Sequence, residues 1–221
     1  MTIDSVVIVS GGIDSTTVLY RQHSLGEKLL GLSFRYGQRH DFELKFATHH
    51  CEFLGVPQII VELPWMKDLR SSALTNRNIA VPDIREVLGH PQPVTYVPFR
   101  NLLFLTIAAQ FAEDRGAQRV VYGAQLHDLY GYWDTTVEFV DRARNLFQLN
   151  RLHRIEIEAP LAGNTKAENI LLAVSLGVDL RMTFSCYMGF ARHCGKCATC
   201  AERRKGFLDA GVKDPTDYAD G

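Results

Sequence analysis

A chain of 221 residues, 46% hydrophobic and 22% charged, suffices for one large packed domain or a domain with a small appendage. Its formal charge of -1, from 24 basic and 25 acidic side chains, removes the long-range positive field that would draw in a nucleic-acid backbone. No run approaches the ~20 apolar residues of a membrane helix, and Asp4 precedes any basic residue, so a cytoplasmic protein without a membrane partner is expected.

In chain order, apolar runs at 6–9, 29–34, 58–61, 120–122 and 155–157 read as strands. Segments of helical periodicity lie between or after them at 15–23, 41–54, 101–115, 134–149 and 166–176. Strand and helix in turn predict an α/β fold with a parallel sheet covered on both faces, because parallel neighbours need crossover connections. Such sheets bind ligands outside the carboxyl ends of their strands. The proline-rich, polar stretch 64–98 interrupts the pattern and reads as a lid-like insertion.

The first strand runs into SGGIDS, Ser10 to Ser15, just before a helix. Gly11 and Gly12 allow positive φ and close backbone approach, and the helix start offers free N–H groups and a positive dipole end. That combination is an anion site, with Ser10, Ser15 and Thr16 adding hydroxyls. Asp14 beside phosphate makes sense as a helix cap or as a ligand that helps hold Mg2+. Neither standard nucleotide fingerprint is met, and a plain strand-to-helix turn is the competing reading.

Further polar residues follow the other strands. YGQRH after the second strand places Arg39 and His40 at the same sheet edge. Arg100 and Lys166 each open a helix, where the dipole disfavours a cation unless an anion is near. GAQLHDLYGYWDTT after 120–122 combines Asp128 and Asp134 with Tyr132 and Trp133, a mixture suited to a flat heteroaromatic ring.

Four of the five cysteines, Cys186, Cys194, Cys197 and Cys200, fall in the spacing C-x7-C-x2-C-x2-C. In a reducing compartment that clustering favours metal ligation over disulfides, and four thiolates leave a tetrahedral zinc ion no open position, so the ion would be structural. His193 is a substitute ligand that four sulfurs make unnecessary. Cys51 stands apart and reads as a core residue.

SGGIDSTT, YGQRH, SSALT, VPFRN, GYWD, TKAE, SCY, the cysteine cluster and DPTDY stand in this order over nearly the whole chain. Together they resemble the QueC family, the 7-cyano-7-deazaguanine synthases of the PP-loop (N-type) ATP pyrophosphatase superfamily. The resemblance implies a Rossmann-like, adenine nucleotide alpha hydrolase-like domain over 1–184 and a zinc-bound four-cysteine segment over 185–221. It implies an ATP-dependent ligase that turns 7-carboxy-7-deazaguanine and ammonia into 7-cyano-7-deazaguanine through an acyl adenylate and an amide. Zn2+ would be structural, ATP with Mg2+ the co-substrate, and a homodimer the assembly. Ser10, Gly11, Gly12, Asp14, Ser15 and Thr16 would bind ATP, and Asp14, Arg100 and Lys166 would be catalytic. Arg39, His40, Asp128, Tyr132 and Asp134 would face the substrate.

The sequence leaves the family pattern where relatives carry P-G-R-N and G-Y-P-D-C-R. Here Phe99 stands in Pro98–Asn101, and Trp133, Thr135 and Thr136 stand in the second motif. A paralogue that stops at the amide, or couples the activated acid to another amine such as a protein, for example in antiviral defence, is the alternative. A tRNA-modifying pyrophosphatase and a non-catalytic zinc module are more distant readings, the former disfavoured by the near-neutral charge.

Overall fold

Residues 2–87, 92–125 and 132–219 are described by the computed structural model. Five strands, β1 (Ser5–Ile8), β2 (Leu29–Arg35), β3 (Gln58–Glu62), β4 (Arg119–Val121) and β5 (Glu156–Glu158), form one sheet in the order β3-β2-β1-β4-β5. Every pairing is parallel, with Val6 opposite Leu30 on one side and Val120 on the other. Both faces of such a sheet must be covered, which is why β2 is buried along its length until Arg35. The expected strands are therefore all present, some displaced by one residue.

The helices are α1 (Ile13–Ser24), α2 (Leu44–Phe53), the single turn α3 (Ile84–Val87), α4 (Arg100–Arg115), α5 (Val137–Phe147), α6 (Lys166–Ser175) and α7 (Ala198–Asp209). Alternate β1 side chains enter opposite cores. Val6 joins Leu30, Leu32 and Phe34 beneath Leu105 and Ala108 of α4, whereas Val7 and Val9 meet Val18 and Leu19 of α1 and Ala47 of α2. Cys51 lies in the second core, 1% exposed, with its thiol pushed up to about 12 by burial, as a core residue should. Among the described residues no helix is long and apolar enough to cross a membrane.

One expectation is revised and two segments gain detail. The periodic stretch from 134 does not start a helix at once: Trp133–Thr135 forms a 3-10 turn, and Thr136 caps α5 by accepting from the Phe139 N–H at 3.1 Å. The described part of 64–98, expected as a lid-like insertion, packs on the body: Met66, Ala73, Leu74 and Val97 are buried and the Ile84 N–H donates to the Lys196 carbonyl. The four-cysteine segment contains regular structure as well. It supplies α7, which packs on α6 so closely that a Cβ on Gly206 would collide with the Lys166 side chain.

Candidate active site at the carboxyl edge of the sheet

The chain travels outward from β1 through β2 to β3 and returns to β4 on the other side of β1. Connections leaving β1 and β4 in opposite directions open a crevice beyond their carboxyl ends. A cavity of about 310 Å3 lies there, a size at the lower bound for small-molecule sites. Its wall includes Ser10, Gly12, Asp14 and Ser15 from the glycine loop, His40, Arg100 and Lys166, so segments predicted to matter from four separate parts of the chain meet in one space.

The glycine loop is shaped from within. Gly11 takes φ 91° and packs against the start of α2, where a Cβ would collide with the Glu43 carbonyl oxygen. Gly12 has an ordinary φ of -77°, and a Cβ there would meet only loose contacts at 3.5 Å. The fold therefore requires the first glycine, while the second leaves room for a ligand at the helix start. Ser10 and Ser15 hydroxyls lie 3.0 Å apart, and Ser15 also accepts from the Ser10 N–H at 3.1 Å. From across the crevice Gly123 presses on this loop: a Cβ would be 2.8 Å from Ser15 N and 2.9 Å from the Asp14 carbonyl carbon.

Asp14 does not cap α1, whose start is at Gly12 without a side-chain cap. Its carboxylate instead accepts from Lys166 Nζ at 2.5 Å and from Asn169 Nδ2 at 2.9 Å. Lys166 also stands 3.7 Å from Glu202 on α7, and burial raises the Glu202 pKa despite that ammonium. Lys166 is delivered by a capping box: the Thr165 side chain accepts from the Glu168 N–H, and the Glu168 carboxylate accepts from the Thr165 N–H.

On the β2 side, Arg100 donates to the Tyr36 hydroxyl at 3.1 Å. Burial opposes its charge, yet Tyr36, Tyr187 and Asp134 around it hold its pKa above the ordinary guanidinium value. No carboxylate lies within ion-pair distance of Arg100 among the described residues, which leaves a cation facing the cavity. His40 Nε2 lies 3.6 Å from Glu43, and both line the cavity. Burial, with Arg100 and Arg39 nearby, lowers His40 to about 3, while burial pushes the Glu43 carboxyl up to about 8 against the pull of Arg100 and Gln38. At neutral pH the two are a neutral imidazole and a mainly protonated acid.

Not every predicted residue reaches the cavity. Thr16 is fully buried behind the loop with its hydroxyl unpartnered, because the helical turn carries it into the interior. Arg39 donates instead to the Asn76 and Ile79 carbonyls at 3.0 and 2.9 Å, which fastens the 64–98 segment to the body. Tyr132 bonds Thr95 at 2.5 Å beside the site. Asp134 is buried at its margin, its carboxyl raised by burial against the field of Arg100, and its carbonyl accepts from Asn101. Asp128 lies outside the described residues. Sequence reasoning missed Glu43, Tyr187, Glu202 and Arg203, all on the cavity wall. Glu43, three residues after His40 at the start of a predicted helix, was the one with a usable signal.

Behind the cavity the four cysteine sulfurs lie within 4.8 Å of one another, and Cys194 and Cys200 are 3.9 Å apart. A tetrahedral four-sulfur set with metal–sulfur bonds of ~2.3 Å needs sulfurs about 3.8 Å apart, so the donors fit such an ion. Backbone N–H groups of Met188, Cys194, Lys196 and Cys197 point at Cys186 or Cys194 sulfur, a setting suited to thiolates. His193 stays outside the set, since its Nε2 accepts from the Ser185 N–H at 3.1 Å.

Comparison with known proteins agrees with this arrangement. Residues 4–211 match the family model described as "Queuosine biosynthesis protein QueC". The 7-cyano-7-deazaguanine synthase of Coxiella burnetii is 42% identical over 223 residues, with 97% of each chain covered. That of Caldicellulosiruptor saccharolyticus is 40% identical over 214 residues, covering 97% of this chain and 95% of the relative. Among solved structures, the NMN synthetase of Francisella tularensis matches with a TM-score of 0.54 at 13% identity, over 96% of this chain and 79% of its own, a likeness of fold.

Proposed function

The chain belongs to the QueC family of queuosine biosynthesis proteins, and from that premise we propose that it converts 7-carboxy-7-deazaguanine and ammonia to 7-cyano-7-deazaguanine at the expense of ATP. The observation that carries the reading is one cavity at the β1/β4 switch point with an open glycine cradle, a carboxylate–lysine pair and an arginine without a carboxylate partner among the described residues.

ATP lies with its phosphates over Ser10, Gly12 and Ser15. A substrate carboxylate oxygen attacks the α-phosphorus, the bond to the bridging oxygen breaks, and pyrophosphate leaves. Arg100 and Lys166 neutralise charge that builds on the phosphoryl oxygens. Ammonia then donates its lone pair to the acyl carbon, AMP departs with the C–O electron pair, and a proton is lost from nitrogen. A second ATP activates the amide oxygen in the same way, and loss of AMP and the amide protons leaves the nitrile. Asp14 and Glu202 are the carboxylates that would hold Mg2+ beside the nucleotide, an ion that neutralises phosphate charge. Tyr132 and Asp134 flank the acceptor side.

In this reading the four-cysteine cluster holds a structural zinc, and 1–184 carries the nucleotide chemistry with Glu202 added from the cysteine-bearing segment. Metal analysis should give about one zinc per chain, lost when Cys194 is replaced by serine; metal-free purified protein refutes it. Mass spectrometry of a reaction with ATP, Mg2+, ammonium and 7-carboxy-7-deazaguanine decides the activity. Nitrile with two AMP supports it, whereas amide alone assigns the chain to the paralogue that stops there.

A further inference from the structure

Phe99 and Trp133 directly precede Arg100, on the cavity wall, and Asp134, buried at its margin. Phe99 is the one non-glycine residue with positive φ among the described residues, at φ 54° and ψ 20°. A bulky side chain in that region is strained, and strain persists only where its surroundings over-determine it. The side chain cannot be held there by core burial, since it is 60% exposed.

Its partners are instead on the turn that carries Asp134. The Phe99 ring meets the Trp133 ring edge-on, with centroids 5.4 Å apart and planes at 71°. One hydroxyl, that of Tyr96, accepts from both the Phe99 N–H at 2.9 Å and Trp133 Nε1 at 2.8 Å. The residues after them are joined too, since Asn101 Nδ2 donates to the Asp134 carbonyl at 3.2 Å. Trp133 is braced on its far side by Phe139 of α5, again edge-on at 5.4 Å.

We propose that Phe99 and Trp133 act as one aromatic clasp, positioning residues that fix the turn bearing Arg100 against the turn bearing Asp134 and so set the width of the acceptor side. Neither ring is part of the cavity wall to which the glycine loop contributes. Arg100 answers phosphoryl charge only as it builds in the reaction, so the clasp acts on binding of the acid and leaves ground-state binding of ATP unchanged. The proposal deepens the reading of the site as one that adenylates a deazapurine acid and rests on it.

The test is a double-mutant cycle with Phe99→Gly and Trp133→Ala, read by denaturant unfolding and by KM for 7-carboxy-7-deazaguanine and for ATP separately. Glycine accepts the positive φ, so Phe99→Gly removes the ring while keeping the backbone path. Each single variant should raise KM for the acid about three- to tenfold, the span expected for an aromatic pair, with KM for ATP unchanged. The double variant should be no worse than the worse single in KM, unfolding effects should be non-additive, and Phe99→Tyr should match wild type. Additive unfolding, unchanged KM for the acid, or an equal rise for ATP overturns the clasp. An inactive wild-type chain overturns the proposed reaction instead, and the unfolding cycle then decides the clasp alone.

Discussion

Two helices open with a cation, and they do so in opposite ways. Lys166 enters α6 through a complete capping box and finds Asp14 at 2.5 Å, so its charge is answered within the protein. Arg100 enters α4 behind a strained Phe99 with no side-chain cap and has only the Tyr36 hydroxyl within bonding distance among the contacts described. Both sit at the dipole end that repels them. The glycine-loop side thus has its cation paired internally, whereas the proposed acceptor side holds strain and a cation that an anion would answer. Specificity has room to vary on the second side while the first stays closed.

Arg100→Gln should break the comparison most severely. Removing an uncompensated donor aimed into the cavity should lower kcat/KM by about 100- to 1000-fold, as loss of one preorganised charge-stabilising donor does elsewhere. Stability should fall modestly, because the Tyr36 hydroxyl loses its donor and buried Asp134 and Glu43 lose the nearby cation; a steady-state assay beside a melting curve reads both. Gly123→Ala comes next and strikes the phosphate side. The new Cβ would meet backbone at 2.8 and 2.9 Å, where no flexible end can yield, so a loss of about 1–3 kcal/mol in unfolding and a raised KM for ATP are expected. A variant as stable as wild type would mean that the β4 loop and the glycine loop do not press together.

The position of the glycine loop was legible because its signals are local. An apolar run, two glycines and a helical period place Ser10 to Ser15 at a sheet edge without any tertiary information, and cysteine spacing likewise brings four sulfurs together. What stayed hidden depends on distant partners. Nothing in VPFRN announces a left-handed Phe99, since bulky residues disfavour it and Tyr96 and Trp133 enforce it. Helix α7 buries Ala198, Cys200, Arg203, Gly206 and Phe207, a face too mixed to show as apolar periodicity, so Glu202 and Arg203 went unseen. Arg39 looked like a ligand because YGQRH follows the second strand at the sheet edge, yet it reaches carbonyls 37 and 40 residues away.

The neutral pair beside Arg100 offers a pH test of that side. Glu43 titrates at about 8 when folded, above the ordinary value of 4.5, so the unfolded chain sheds its proton first. Between those limits the unfolded state binds fewer protons and stability falls as pH rises. His40, lowered to about 3, works the other way and costs stability as pH falls from 6.5 towards 3. Glu43→Gln should therefore flatten the decline between about 4.5 and 8 and leave the acid limb intact. Melting curves across that range would read it, and an unchanged alkaline slope would place the burden on another group.

The smallest effect probes the settled cation. Thr165→Ala deletes the side-chain half of the capping box, leaving the Glu168 N–H without its acceptor while Lys166 keeps Asp14 and Glu202. The cost should be about 1 kcal/mol in unfolding, the usual loss for a threonine cap, and Thr165→Ser should restore most of it. Catalysis should barely change, because the ammonium is anchored from the α1 side as well as by its own helix. If KM for ATP rose as steeply as in Gly123→Ala, the lysine would owe its place to the helix start after all. The two cations would then share a dependence on local backbone geometry, and their contrast would reduce to the carboxylate that only one of them has.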